Sequence, residues 1–191
     1  MAGLGRNNIT NVLVAVNLAL YLYTSILSGN PLVTDLNVLL RFGQVNALIV
    51  RGHWWQLLTS IFIHVNLPHL MLNMVFLFIY GSRAETALGK AAFLTVFIAS
   101  GLMGNISTLI FAGLNNPSVS AGSSGAIFGI LGAYMIYLGL RYDVSIVPYL
   151  IYCFLLFILN ISVNVNLVAH LGGLVSGMIT GYTKAMTEEP W

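Results

Sequence analysis

Two long stretches of this chain contain no charged side chain, and they restrict the fold more than any other feature of the sequence. No Asp, Glu, Lys or Arg occurs from Ala91 to Leu140, and none from Val144 to Thr183. About 20 apolar residues span a bilayer as a helix, so each stretch is long enough for two spans joined by a turn. Only 6% of all residues are charged, against roughly 25% in an ordinary soluble domain. The sequence therefore predicts an all-α, polytopic membrane protein.

The breaks between the apolar segments predict six transmembrane helices in a single membrane domain that covers residues 1–191. The predicted spans are about 9–27, 67–80, 92–112, 124–140, 147–161 and 167–182. A long first loop, 28–56, separates the first two spans, and 83–90 is read as a short charged loop after the second. The first apolar run is longer than the core of a signal peptide and no small-residue cleavage site follows it, so it is read as a helix that is kept.

The Lys and Arg residues predict the orientation, because such residues are enriched in cytoplasmic loops. Six spans place both termini on one side of the membrane. That side would carry Arg6, Arg83, Lys90, Arg141 and Lys184, and the opposite side only Arg41 and Arg51. We therefore expect both termini in the cytoplasm and the protein in the plasma (inner) membrane. A net charge of +2 without a basic cluster predicts no nucleic-acid partner, and the oligomeric state stays open.

Four polar residues are predicted to lie at one depth in the outer half of the bilayer. The second, fourth and sixth spans all run from outside to inside, and their opening turns hold His69, Ser124 and His170. Asn73 follows His69 by four positions, so the two share a helix face. Polar groups at membrane depth are costly and usually functional. Their convergence from three helices predicts a site.

The residue types at this depth are those of a serine hydrolase. A serine hydroxyl becomes a good nucleophile when a neutral imidazole accepts its proton, which gives Ser124 and His170 their predicted roles. The N–H of Ser124 at a helix N-terminus, together with His69 and Asn73, would bind the oxyanion of a tetrahedral intermediate. Asp143, the one acid between Thr86 and Thr187, is predicted to be cytoplasmic. The prediction is therefore a Ser–His dyad with no cofactor. The single cysteine and the lack of a His-Glu-x-x-His sequence predict no metal site.

Small residues recur at four-residue intervals on the fourth and sixth spans. They are Gly125, Gly129, Gly173 and Gly177. Such stripes let helix backbones approach closely in lipid, which would bring the predicted nucleophile and base together. Each feature alone also has a structural explanation: a membrane-helix serine can bond to its own i−4 carbonyl, and a lone histidine can serve packing or an ion path. Asn160, Asn164 and Asn166 are read as polar loop residues.

Three motifs in order give the chain its resemblance to a known family. They are His69-Leu70-Met71-Leu72-Asn73, Gly122-Ser123-Ser124-Gly125, and Ala169-His170 with Gly173 and Gly177. With this order and spacing, residues 54–182 resemble the rhomboid intramembrane serine proteases in their minimal six-helix form. The resemblance implies a rhomboid-like bundle that cleaves transmembrane protein substrates near their outer end through an acyl-enzyme. It also implies that Ser124 is the nucleophile and His170 the general base and acid, with His69, Asn73 and the Ser124 N–H at the oxyanion.

The sequence departs from the family pattern at two positions. Gln56 follows Trp55 where the family has Arg, which concerns how the first loop is held. Phe128 stands where the family often has Tyr, and we expect its ring to stack on His170 without offering a hydroxyl.

Two other functions fit parts of the sequence. One is a catalytically inactive rhomboid-like protein that binds membrane helices, although such relatives usually lack the Ser or the His. The other is a small transporter, which would need polar residues along a path through the membrane. Asn105, Ser107 and Thr108 in the third span are the only hint of such a path.

Overall fold

The computed structural model describes residues 8–142, 145–148, 150–151 and 166–188. Helices make up most of this part of the chain. The elements are α1 (Asn8–Ser28), α2 (Leu36–Phe42), β1 (Gln44–Val45), α3 (Asn46–Ile49), α4 (Gln56–Thr59), α5 (Leu67–Phe76), a π-helical turn (Leu77–Gly81), α6 (Ser82–Leu88), α7 (Lys90–Phe111), β2 (Val119–Ser120), α8 (Ser124–Tyr142) and α9 (Leu167–Thr187).

Three of the described helices are long and apolar enough to cross a membrane. They are Ile9–Ser28, Lys90–Phe111 and Ser124–Tyr142. The prediction of a mostly helical protein with several apolar spans is therefore confirmed. The predicted fifth span, 147–161, falls mostly outside the described residues, so the count of six stays a prediction.

The second predicted span continues as a helix beyond its expected end at residue 80. After the π-helical turn, α6 runs on to Leu88, so the prediction of a charged loop over 83–90 was wrong. The physical reason is Glu85, which is only 3% exposed. Its carboxylate accepts hydrogen bonds from the backbone N–H groups of Ile9 and Thr10, at 3.1 and 2.9 Å, and from the Thr10 hydroxyl at 2.7 Å. A carboxylate at a helix N-terminus is stabilised there, so this charge ties α6 to α1 instead of ending the helix.

The connection between α1 and α5 is folded along the end of the bundle where α5 and α8 begin, which lets it reach both segments that lead into the predicted site. Strand β1 pairs antiparallel with β2, with Gln44 opposite Ser120. Earlier in the connection, Val33 forms an isolated antiparallel β-bridge with Asn66, the residue immediately before α5. The connection is thus joined to the chain just before α5 and just before α8.

Buried amide side chains fasten this connection internally and to α7. Gln56 is fully buried; its Oε1 accepts the N–H of Val45 at 3.0 Å, and its Nε2 donates to the Leu40 carbonyl at 2.7 Å. Asn105 of α7 donates to the Leu57 carbonyl at 2.8 Å. Gln56 therefore has a defined structural role where the family pattern has Arg, and Asn105 serves as a tie between elements.

Helices α7, α8 and α9 pack against one another and form the centre of the described structure. Large apolar side chains fill the space between α7, α8 and the π-helical turn. The fully buried ones there are Leu77, Phe93, Phe97 and Ile130. Helices α8 and α9 run parallel, with Gly125 beside Gly173 and Gly129 beside Gly177, so the residues in their first turns are held at the same end of the bundle.

Candidate active site

Ser124 is the first residue of α8, and a tight turn delivers it. Gly122 has φ +131°, a conformation that side chains other than glycine rarely adopt. A Cβ atom on Gly122 would also lie 2.7 Å from Cε1 of His69. The N–H of Gly122 donates to the Ser60 carbonyl at 2.9 Å, which ties the turn to the first connection. The serine thus stands at a helix N-terminus, two residues after a glycine that packs against the His69 ring.

His170 lies in the first turn of α9, and a capping residue sets the start of that helix. The Asn166 side chain accepts the N–H of Ala169 at 3.0 Å, as an N-cap residue does. Its Nδ2 donates to the hydroxyls of Thr108 and Ser120, at 2.8 and 3.0 Å. One asparagine therefore caps α9 and joins it to α7 and to the segment before α8. Expected as a loop residue, Asn166 is instead the cap that places His170.

The predicted nucleophile and base are in direct contact. Nε2 of His170 lies 2.7 Å from Oγ of Ser124, and the histidine is only 1% exposed. The Phe128 ring stacks on the imidazole, with centroids 4.5 Å apart and an angle of 22° between the planes. Because Phe128 is one helical turn after Ser124, α8 supplies both the serine and the surface that orients the imidazole.

The glycines on α8 and α9 make this contact possible. A Cβ on Gly173 would overlap the carbonyl of Gly125, and one on Gly177 would overlap the carbonyl of Gly129. Backbone therefore packs on backbone along this seam. Larger side chains would separate the two helices and move the serine away from the histidine.

His69 and Asn73 both lie on α5. The side chain of Asn66 accepts the N–H of His69 at 2.8 Å and caps this helix. Asn73 is 4% exposed, and its Nδ2 donates to the His69 carbonyl at 2.9 Å. An amide nitrogen carries two hydrogens, so one N–H of Asn73 is available to a ligand.

All four polar residues line one cavity of about 330 Å³. The remaining lining is mostly apolar, with Val65, Leu72, Phe76, Phe128 and Leu131 among its side chains. An apolar pocket with a few convergent polar groups is the usual form of a binding site. Polar side chains from three helices, α5, α8 and α9, thus meet at one cavity, and their shared depth in a bilayer stays a prediction.

Two buried residues beside the site were not among its predicted members; His64 was read from the sequence as interfacial or structural. Ser123 and His64 are both fully buried, and Ser123 Oγ lies 3.5 Å from His64 Nε2. Ser123 is part of the Gly-Ser-Ser-Gly motif but points away from the cavity lining. His64 precedes α5, and no periodicity in that segment distinguishes it from a structural residue.

The carboxylates of the described residues all have partners away from His170. Asp35 caps α2, Glu85 binds the start of α1, and Glu188 pairs with Lys184. Asp143 lies outside the described residues. Over the same described part, no group of three or more His, Cys, Asp or Glu side chains is close enough to hold a metal ion. In the described part, the serine–histidine contact is thus a pair without a carboxylate.

Comparison with known proteins places the chain in a family. Residues 51–187 match the family model of the rhomboid domain. The rhomboid YdcA of Bacillus subtilis is 34% identical over 151 residues, which cover 75% of this chain and 74% of that protein. The rhomboid protease GluP of the same organism is 32% identical over 91% of this chain, and this chain spans 34% of GluP. The rhomboid protease AarA of Providencia stuartii is 32% identical, covering 71% of this chain and 52% of AarA.

The match to the family model includes the turn before Ser124, the start of α9 and the long apolar helices α7 and α8. The family expected from the three motifs is therefore confirmed. The chain is an integral membrane protein of the rhomboid family.

Proposed function

We propose that this protein is an intramembrane serine endopeptidase that cleaves transmembrane segments of other membrane proteins. The observation that carries the proposal is the 2.7 Å contact between His170 Nε2 and Ser124 Oγ, inside a cavity that also exposes two further polar groups. The relatives GluP and AarA are named as rhomboid proteases, which supports the same activity here.

In the proposed reaction, Ser124 Oγ attacks the scissile carbonyl carbon while Nε2 of His170 accepts the hydroxyl proton. The carbonyl oxygen becomes an oxyanion, and the N–H of Ser124 with His69 and Asn73 stabilises it. Each such donor is worth about 10²–10³ in rate. The imidazolium then gives its proton to the leaving amine as the C–N bond breaks. Water, deprotonated by His170, hydrolyses the resulting acyl-enzyme and restores the serine.

The orientation of the base comes from packing in this proposal. In many serine hydrolases a carboxylate holds the imidazole in place. Here the Phe128 ring stacks on one face of His170, and the cap at Asn166 sets the helix that carries it. The stacked Phe128 ring and the capped start of α9 restrict the orientation of the imidazole, as a hydrogen bond to a carboxylate does in those hydrolases.

The substrate in this proposal is a transmembrane helix, cut near its outer end. A helix hides its carbonyl groups in backbone hydrogen bonds, so the segment must unwind before Ser124 can attack it. We place both termini in the cytoplasm, since five of the seven Lys and Arg residues then lie inside. The plasma (inner) membrane is the proposed location. The lipid bilayer is the medium of the reaction, and the proposal needs neither cofactor nor nucleic acid.

Covalent labelling tests this proposal without knowledge of the substrate. A fluorophosphonate should label the detergent-purified protein, and both Ser124→Ala and His170→Ala should abolish the labelling because the nucleophile or its base is missing. Ser118→Ala, at an exposed serine in the preceding loop, should leave it unchanged. Labelling that persists in Ser124→Ala would place the nucleophile elsewhere. A folded protein that is not labelled at all would favour the inactive helix-binding protein.

A further inference from the structure

A second serine–histidine pair lies directly behind the candidate active site. Its members, His64 and Ser123, are both fully buried, and neither lines the cavity. The atoms His64 Nε2 and Ser123 Oγ are 3.5 Å apart, at the long end of hydrogen bonding. The pair can therefore affect the geometry of the site without contacting a substrate in the cavity.

The His69 ring contacts both His64 and the turn that carries the nucleophile. The His64 and His69 rings meet edge to face, with centroids 5.3 Å apart and an interplanar angle of 66°. Gly122 also lies against the His69 ring, so close that a Cβ there would reach it. Because Ser123 follows Gly122 directly, the two histidines and the turn form one closed packing unit.

The same unit is attached to the first connection through its backbone. The Thr34 hydroxyl donates to the His64 carbonyl at 2.7 Å, and the Thr34 N–H donates to the Val65 carbonyl at 3.0 Å. The Gly122 N–H donates to Ser60 at 2.9 Å. The backbone at His64 and the backbone of the turn thus each have hydrogen-bond partners in the connection, and none of these partners belongs to α8.

We propose that His64 and Ser123 are positioning residues, which hold the His69 ring in register with the turn at Ser124. This inference rests on the proposed function, because its consequence is the alignment of two oxyanion donors, the His69 imidazole and the Ser124 N–H. These donors come from different helices, α5 and α8. The pair joins the two behind the site, so that both donors face one point in the cavity.

A buried imidazole at position 64 contributes less to the stability of the fold than an apolar side chain of similar size would. The His64 imidazole and the Ser123 hydroxyl are fully buried polar groups, and their mutual contact of 3.5 Å is long for a hydrogen bond. An unsatisfied buried polar group destabilises a fold, whereas replacement of both partners of a hydrogen bond by apolar groups can be nearly neutral. The double variant His64→Leu with Ser123→Ala should therefore fold and melt near the wild-type temperature. Its defect should be catalytic.

The test measures the fluorophosphonate reaction of the full chain in detergent, separating its maximal rate from its half-saturating concentration. In the double variant we expect the maximal rate to fall about tenfold, less than the 10²–10³ typical for loss of a donor itself. The half-saturating concentration should not change, because the pair does not line the cavity. Matched controls are His53→Leu, at a histidine of the same connection that stacks on Trp55, and Ser118→Ala. Both should react as the wild type does.

Coupling to His69 decides whether the pair acts through that ring. In a His69→Ala background, the double variant should cause no further loss, since there is no ring left to position. A full additional tenfold loss would overturn the inference. So would an unchanged rate in the double variant, or a rate loss matched by a lower melting temperature.

Single variants keep the test decisive if the double variant fails to fold. His64→Gln, which keeps a polar group that can reach Ser123, should react faster than His64→Leu, and equal rates for the two would contradict the inference. Failure of the proposed function has a different signature, because the wild type would then show no labelling that depends on Ser124, and the inference would fall with it.

Discussion

Two interfaces hold the candidate site together, and they do so by opposite means. Between α8 and α9, glycine packs on the opposing backbone, and few side chains come between the helices. Between the first connection and α7, buried amides carry the contact, with Asn105 bound to the connection and Gln56 bound inside it. The first interface depends on close contact between two backbones. The second depends on specific side-chain hydrogen bonds, each of which has to form.

The difference corresponds to what each interface carries. The α8–α9 seam sets the distance between Ser124 and His170, where a small displacement breaks a 2.7 Å contact. Close backbone packing suits that task, because helices in lipid gain little from burying apolar side chains and much from close approach. The connection has irregular backbone, whose N–H and C=O groups need partners when buried. Buried amides supply these partners.

The largest predicted effect comes from breaking the glycine seam. Gly177→Leu places a side chain against the backbone of Gly129, which cannot move aside as a flexible side chain can. Overpacking usually costs about 1–3 kcal/mol and sometimes more, and we expect the upper end here, with loss of fluorophosphonate labelling. Val175→Leu, at a 53% exposed position of the same helix, should change neither the melting temperature nor the labelling. A labelled, stable Gly177→Leu protein would contradict the close-packing explanation.

A smaller effect is predicted for the amide network. Gln56→Leu keeps the side-chain bulk but leaves the Val45 N–H and the Leu40 carbonyl without their partner. Unmade buried hydrogen bonds of this kind cost about 1–3 kcal/mol. Thermal unfolding in detergent should show the loss, while Asn37→Ala, at an exposed position of α2, should stay near the wild type. Faster hydrogen exchange confined to residues 36–60 would sharpen the comparison, and exchange that rises equally along α8 and α9 would contradict it.

The smallest effect is predicted where α8 and α9 end, far from the glycine seam. Lys184 pairs with Glu188 at 2.7 Å, and the Tyr137 hydroxyl donates to the same carboxylate at 2.7 Å. The Lys184 ammonium, then the Tyr137 hydroxyl, lower the pKa of Glu188 below its ordinary 4.5. The pair is partly exposed, and such pairs contribute about 1 kcal/mol or less.

The sign of the pH effect follows from that lowered pKa. The stabilising contribution is complete above the ordinary pKa of Glu and is lost as the pH falls through the lowered value. Melting temperatures of the wild type and of Lys184→Ala should therefore differ slightly at neutral pH and converge in acid. A difference that grows below pH 4.5 would show that the Lys184 pairing does not stabilise Glu188.

The sequence predicted the parts of this protein that depend on composition and on short local patterns. Charge-free stretches are incompatible with a soluble fold, so the membrane class followed directly from them. The positions of Ser124 and His170 followed from helix starts and topology, and the structure places the two side chains in contact. Phe128 stacks on the imidazole, as the resemblance to the family implied.

Other features depended on contacts between residues far apart in the chain. The sequence alone predicts that Glu85 is a loop residue, because its hydrogen-bond partners at the start of α1 lie about 75 positions earlier in the chain. The sequence alone likewise predicts that Asn166 is a loop residue, because its partners Thr108 and Ser120 are distant in the chain and only the fold brings them into hydrogen-bond contact with it. A polar residue in an apolar sequence shows that a partner must exist, because burial without one is costly.

The sequence by itself thus determined the class of the protein, the main spans and the residue types that meet at the candidate site. Only the tertiary structure decided which polar groups meet: the Asn166 cap of α9 with Thr108 and Ser120, Glu85 of α6 with the start of α1, and the amides of the first connection with its own backbone and with α7. The physical reason is that hydrophobic length and helix starts are local properties of a chain. The partner of a buried polar group is set by packing, and packing brings together residues that no local pattern connects.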